Sequence, residues 1–306
     1  MSTSSIKKGY IQVFIAGMFW GTTGLFMELL AGAGAGNSLV SLLRVGTAAV
    51  IMLPVVWIHC GPGAFRVSGK TLLMCAAMGF TAHTLFNICY TAAVDSVGIA
   101  TAAVLLYASL IFVVILSRIF FKEPVTVHKV AALAVNLAGC FLTVTGGDPG
   151  VLSFMLFGTV MGLLAALSYS TVPIFGKITT GNTHPYVITF YNFLFGTLFL
   201  LPFIAASPAS DLRASGTLLI LGLGSGLVSA VIPYMLFMTG LSKPIEASKV
   251  NVIASMEVVV AALIGVNVFH ESMNGWKLAG MAMVLCSILI MNLSPSPALS
   301  SEARNG

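Results

Sequence analysis

Charge is what this sequence has least of. Only 8% of its 306 residues are Asp, Glu, Lys or Arg, and 9 of those are acidic, whereas a soluble domain carries about 25% charged residues. With 58% hydrophobic residues and a mean hydropathy of +1.03, too few polar side chains exist to coat a soluble globule of this length. A water-soluble enzyme or binding module is thereby excluded. Cysteine is thin as well: Cys60, Cys75, Cys89, Cys140 and Cys286 are odd in number and dispersed, with no CxxC spacing. That argues against a disulfide frame and against a metal site, and reads them as small buried hydrophobes. The nucleotide and protease signatures are missing too. The run GAGAG, Gly32–Gly36, lacks the strand context and the Lys-Ser/Thr ending of a phosphate loop, and His270-Glu271 has no second His at zinc spacing. The net charge of +5 is spread between apolar runs rather than clustered, so no nucleic-acid partner is implied.

Apolar runs of about 20 residues, enough to cross the hydrocarbon of a bilayer, fill the chain. Gly, Pro and charge mark them off near 10–31, 38–59, 70–93, 97–121, 126–146, 151–176, 185–206, 216–241, 245–269 and 273–293. The connections are too short for a soluble domain. The first run reads as a retained helix rather than a signal peptide. The tail from 294 to 306 is polar and reads as a disordered cytoplasmic extension.

The basic residues then orient the chain. With the N-terminus inside, eleven Lys and Arg fall on that side (7, 8, 66, 70, 118, 122, 129, 177, 243, 249 and 304). Only Arg213 and Lys277 fall on the other, and Arg44 lies within a span. By the positive-inside rule both termini are cytoplasmic, in a cell inner membrane.

The chain also repeats itself. FKEPVTVHKVA (Phe121–Ala131) returns as FHESMNGWKLA (Phe269–Ala279), 148 residues on, with Phe, Glu, Lys and Ala at the same internal positions. The same offset pairs Leu53-Pro54 with Leu201-Pro202, and Thr23 with Thr171. Five spans per copy is odd, so the second copy enters the bilayer from the opposite side. The fold expected is an all-α polytopic membrane protein, with ten transmembrane helices as two inverted five-helix repeats, residues 1–148 and 149–293. Such folds hold their substrate near mid-bilayer, where the halves meet.

Against that background Glu257, the one carboxylate in VIASMEVVVAALIGV (Val252–Val266), needs an explanation. An ionisable group at this depth costs roughly 2.5–3.5 kcal/mol on insertion scales, so it tends to face a cavity or a partner. Either it exchanges protons or touches substrate, or it is a structural carboxyl bonded to a neighbouring helix. Asn251 and Ser255 flank it on an adjacent face, while Lys249 can snorkel to the interface. Arg44 and Glu28 share a depth and suggest an ion pair. The alternatives join Arg44 to Glu257 or to a substrate carboxylate. His83, Asn87 and Tyr90 form a polar stripe on span three, fit for interhelical bonding or for a ligand. Trp20 and Thr23 on span one, and Tyr107 and Tyr234 on spans four and eight, are candidate cavity walls or plain packing.

FWGTTGLF in the first span, LLR in the second, and Phe-x-Glu closing spans four and nine resemble the drug/metabolite transporter superfamily. Within it, the chain is similar to the EamA-like permeases over essentially its whole length. The resemblance implies alternating access and export of small metabolites, amino acids or related compounds among them, and places the Trp-Gly pair of span one beside the central cavity. It implies no cofactor. The partners are a small-molecule substrate, the lipid bilayer and protons as a candidate coupling ion, in a monomer or homodimer. Many relatives carry a proline where Leu110 and Val258 stand. Its loss should straighten two helices or restore a backbone hydrogen bond in each. An uncoupled facilitator or uptake permease is the alternative. An intramembrane enzyme with His83 and Glu257 as acid and base is a weaker one, since no triad, aspartyl pair or HExxH supports it.

Overall fold

The computed structural model describes residues 3–205 and 215–293. Arg213, Arg304 and the expected tail 294–306 lie outside the described residues. Those described form helices and short turns, with no strand among them. Span one is α1 (Thr3–Trp20) followed by α2 (Thr23–Gly32), and span two is α3 (Asn37–Cys60). Span three is α4 (Gly69–Gly79), a π-helical turn (Phe80–Leu85) and the first part of α5 (Phe86–Leu106). A kink at Gly98 (φ 80°) divides it from span four, which is completed by α6 (Ser109–Phe121). Spans five to seven are α7 (Val127–Thr145), α8 (Leu156–Thr180) and α9 (Pro185–Ala205). Span eight is α10 (Gly216–Ser225), a second π turn (Gly226–Val231) and α11 (Ile232–Leu241). Span nine is α12 (Ala247–Ala254) with α13 (Met256–Val268), and span ten is α14 (Gly275–Leu293).

Large apolar side chains point outward along these helices, Ile58 at 74% and Leu156 at 84% exposed. Water would not tolerate such a belt, whereas hydrocarbon requires it. The protein is therefore all-α and polytopic, with five spans in each half. We call the face on which the chain begins the near face and the opposite one the far face.

Ten spans agree with the sequence reading, with one shift. Span six begins at Leu156 rather than near 151, because Asp148 Oδ1 accepts from Gly150 N–H at 2.8 Å and holds 149–151 in a separate turn. The helix then runs through Pro173 to Thr180. The cysteines are free, and Cys75, Cys89 and Cys140 are buried as expected. Cys286 is exposed on span ten and Cys60 half-buried beside His184, so they are not core hydrophobes.

The repeat is visible in the backbone. Among the described residues, the non-glycine ones with left-handed φ are Lys122 (56°) and His270 (54°), the middle residues of the two Phe-x-Glu motifs, 148 apart. Spans four and nine are both interrupted, at Tyr107–Ala108 and at Ser255, again 148 apart. Leu110 and Val258 therefore do not straighten their helices. Their N–H groups do find partners, but three residues back: Leu110 N–H to Tyr107 O at 3.1 Å and Val258 N–H to Ser255 O at 2.9 Å. The tighter turn keeps the break while satisfying the donor, as a buried backbone in lipid must.

Glycine permits close helix contact. Spans five and ten pack along their length, and a Cβ on Gly139 would lie 2.8 Å from Gly280 O and 2.9 Å from Val284 N. Backbone sits there, not a movable side chain. Gly139→Val should force the pair apart and destabilise the protein by about 1–3 kcal/mol. Thermal melting of the purified variant tests this, and an unchanged Tm would mean that the two helices have slack.

Candidate functional site

The two helix breaks face one another across a cleft near mid-bilayer. Span four lines it with Tyr107 and Ser109, span nine with Asn251, Ser255 and Glu257, and span six with Tyr169. Tyr107 and Ser255 occupy equivalent positions in the repeat, as do Ser109 and Glu257. The cleft is thus built around the relation between the halves, each broken helix offering its interrupted turn. It is narrow, with about 20 Å³ open to the centre of a water molecule. A water fits, since that needs roughly 10–15 Å³, and a metabolite does not.

Glu257 is half-buried on this surface, and among the described residues its carboxylate has no ion pair or hydrogen bond. Arg44, half-buried on span two, is likewise without either. The expected Arg44–Glu28 pair is not made, and Glu28 is exposed at the far end of span one. Arg44 and Glu257 do not touch directly either: Glu257 lines the cleft, whereas Arg44 lies outside its lining.

The remaining candidates divide between cavity and packing. Asn251 lines the cleft with its buried Nδ2 unpartnered. Tyr234 is 5% exposed and sits behind the lining, edge-on to Trp20 at 5.4 Å and against Phe193 at 5.0 Å. Trp20 also meets Phe237 at 5.0 Å, so it is packing rather than cavity wall. Thr23 opens α2 just beyond the interruption at Gly21–Thr22 and is outside the lining.

The span-three stripe mostly bonds helices. His83 Nε2 lies 3.1 Å from Asn192 Nδ2, and Asn87 donates to the His83 carbonyl while accepting from Ser41 Oγ at 2.9 Å. Tyr90 stacks on Phe86. Gly196 makes room for the His83 ring, since a Cβ there would come within 2.6 Å of it.

Several contributors escaped the sequence reading. Tyr169 is one; as a tyrosine among many aromatics it carries no mark of its own. Ser109 could have been found, because the 148-residue offset projects Glu257 onto it. Asn136, fully buried on span five, donates from Nδ2 to Ser255 Oγ at 2.6 Å and to Ser287 Oγ at 2.7 Å. It thereby ties the break of span nine to spans five and ten. Gly17 and Gly21, one turn apart, let span one lie directly on the span-nine backbone, where a Cβ on Gly21 would be 2.7 Å from Glu257 O.

A second polar cluster closes the near face. Glu123 accepts from the N–H groups of Ala247 and Ser248 at 2.8 and 2.9 Å, from Ser248 Oγ at 2.6 Å and from Lys177 Nζ at 2.8 Å. It thus caps the first turn of α12, whose amides have no helical partner. Lys129, 1% exposed, reaches Glu246 at 2.5 Å and Ser248 Oγ at 2.8 Å. Lys249 does not snorkel. It is buried, 3.0 Å from Glu246 and over the Tyr10 ring. Burial pushes the Glu123 carboxyl up, but Lys177 and the Ser248 hydrogen bonds outweigh it and hold it below its ordinary value. Its contribution to stability is therefore complete at neutral pH and lost only as the pH falls through that depressed value.

Residues 7–145 and 156–293 each match the EamA-like transporter family. The chain is 29% identical over 285 residues to an uncharacterized transporter of Archaeoglobus fulgidus, covering 93% of this chain and 96% of the other. It is 23% identical to the uncharacterized inner membrane transporter YicL of Salmonella typhimurium (94% and 96% covered). With the uncharacterized transporter YwfM of Bacillus subtilis the identity is 25% (95% and 96%). A crystal structure of another protein superposes with a TM-score of 0.79 at 15% identity, over 96% of this chain and 98% of that one, and shares the fold.

Asn136 offers a direct test of how the break is held. Asn136→Asp keeps the shape but removes both donors, leaving two buried serine oxygens without them. It should cost about 1–3 kcal/mol and lower the Tm of the purified protein. A melt that matches wild type would show that Ser255 is positioned without it.

Proposed function

The chain belongs to the EamA-like transporter family, and on that premise we propose that it is a secondary active exporter of small polar or amphipathic metabolites, amino acids and related compounds among them. It works by alternating access in a cell inner membrane, as a monomer or homodimer, with residues 1–148 and 149–293 as its two inverted units. The near face is cytoplasmic on this reading, because most of the basic residues collect there. The function is transport rather than catalysis.

What supports this is that Glu257 on the cleft and Arg44 on span two both stand without an ion pair among the described residues. Each is expensive to hold in hydrocarbon without a partner. A zwitterionic solute answers both, its carboxylate on the planar guanidinium and its ammonium on Glu257, with Tyr107 and Tyr169 against its body. Glu257 has a second capacity. When no cation faces it, the cheapest way to remove its charge is to take up a proton, so solute and proton compete for one carboxylate and exchange across the membrane.

Substrates are best found by a thermal-shift screen of amino acids on purified protein, then tested in proteoliposomes with and without a pH gradient. Glu257→Gln should fold but bind a zwitterionic solute at least about tenfold more weakly and lose gradient-driven accumulation. Wild-type accumulation in this variant would remove Glu257 from coupling, and flux that only follows the solute gradient in the wild type would make the protein a facilitator. Arg44→Lys, which keeps the charge without the fork, should lose at least about tenfold in affinity for a carboxylate solute. Normal affinity would reduce Arg44 to a point charge.

Orientation is tested at the paired residues Lys122 and His270, both exposed. Cysteines placed there should label from opposite sides, position 270 from outside intact cells. Labelling of both from one side would contradict the inverted arrangement.

A further inference from the structure

The near face is locked by a carboxylate capping a helix, and the repeat places a second carboxylate, a second lysine and a second helix start at equivalent positions on the far face, with Leu29, Ala100 and Thr101 where Lys177, Ser248 and Lys249 stand. We propose that Glu271 is the far-face counterpart of Glu123, closing that face by capping the first turn of span four when the near-face cap is released. The inference rests on the alternating-access reading.

On the near face Glu123 ends span four and caps α12, whose N-cap is Glu246 and whose first amides belong to Ala247 and Ser248. Moving every number by 148 gives Glu271 at the end of span nine, Gly98 at the start of span four, and the amides of Ile99 and Ala100. Gly98 is indeed where the backbone leaves helical geometry (φ 80°) and span four restarts. Among the described residues Glu271 makes no bond to these amides. Ile99 is 69% exposed, and a Cβ on Gly98 would meet nothing within 4 Å. The Glu271 side chain is 54% exposed and held only by Lys277 at 3.0 Å among the described residues. Lys277 is itself the counterpart of Lys129.

The two locks are unequal by composition. Glu246 gives Lys129 and Lys249 a second carboxylate on the near face, while its counterpart on the far face is Gly98. With one acid instead of two, the far lock is the weaker, which favours the near-closed arrangement. Conversion would break the Glu123 cap and make the Glu271 cap, so the net number of satisfied helix-terminal amides changes little. Such an exchange lets a transporter switch without a large difference in stability between its states.

First-turn amides report their cap because they lack an intrahelical partner. Hydrogen exchange of the full-length protein in nanodiscs, followed at 247–248 and 99–100, therefore reads both locks at once. In the wild type 247–248 should exchange slowly and 99–100 rapidly. Glu123→Ala should release 247–248 and slow 99–100 by about tenfold or more, the effect of a charge-assisted bond. Adding Glu271→Ala should leave 247–248 released and restore rapid exchange at 99–100. Lys177→Ala, which removes the cation facing Glu123, gives the same reading if Glu123→Ala does not fold. Released 247–248 without protection at 99–100, or protection that survives Glu271→Ala, overturns the exchange of caps. If flux continues in those same variants, the transporter reading stands and only the exchange falls; a wild type without flux in proteoliposomes would sink the transporter reading instead.

Discussion

A bilayer offers no water to a backbone group that has lost its partner, and the whole architecture follows from obeying that constraint while still breaking helices. Interruptions at Gly21–Thr22, Tyr107–Ala108 and Ser255 would be ruinous on a lipid-facing surface. Here each sits inside the bundle, and its freed groups are answered locally. The Thr22 hydroxyl donates to Phe19 O at 2.7 Å, and the Ser255 hydroxyl donates to Val252 O at 2.6 Å. Leu110 and Val258 donate to carbonyls three residues back. The interruptions then become useful, because they turn uniform rods into a surface with polar features at mid-bilayer depth. The glycines on spans one, five and ten serve the same end by bringing backbone close enough to shield what the breaks expose.

Charge is distributed by the same economy. Five of the few ionisable side chains (Glu123, Lys129, Lys177, Glu246 and Lys249) gather in one buried cluster with interlocking bonds. Removing one member of such a cluster leaves another unpaired in a poor solvent, which is why buried networks are stable only when complete. Arg44 and Glu257 are the contrary case. Among the described residues no side chain pairs with either, so their desolvation costs the bundle stability.

How much of this was legible before the structure depends on the kind of signal. Length, hydropathy and the 148-residue offset read out ten spans and two copies, because both are regularities of sequence. They extend further than first used, since the paired left-handed residues Lys122 and His270, and the paired breaks at Tyr107 and Ser255, lie on the same offset. Partner choice was not legible. Arg44 and Glu28 share a depth yet face different surroundings, because depth says nothing of azimuth around a helix. Lys249 read as a snorkelling cation, since nothing local announces that Glu246 and Tyr10 will enclose it. Of the two outcomes expected for the missing prolines, the restored hydrogen bond is seen and the straightening is not. A helix can stay bent when tertiary contacts such as the Asn136 bond to Ser255 favour the tight turn.

The near-face cluster holds three lysines against two glutamates, so it carries an excess of one positive charge. Sealed, that surplus is hidden and contributes only to cohesion. If alternating access parts it, it would line the rim of a vestibule whose low-dielectric walls concentrate its field. Solutes arriving from that side would meet an attractive rim if they carry a carboxylate and a repellent one if they are simple cations. The lock, once undone, would then act as a sieve on what enters, sorting by charge sign well before any molecule reaches the tyrosines.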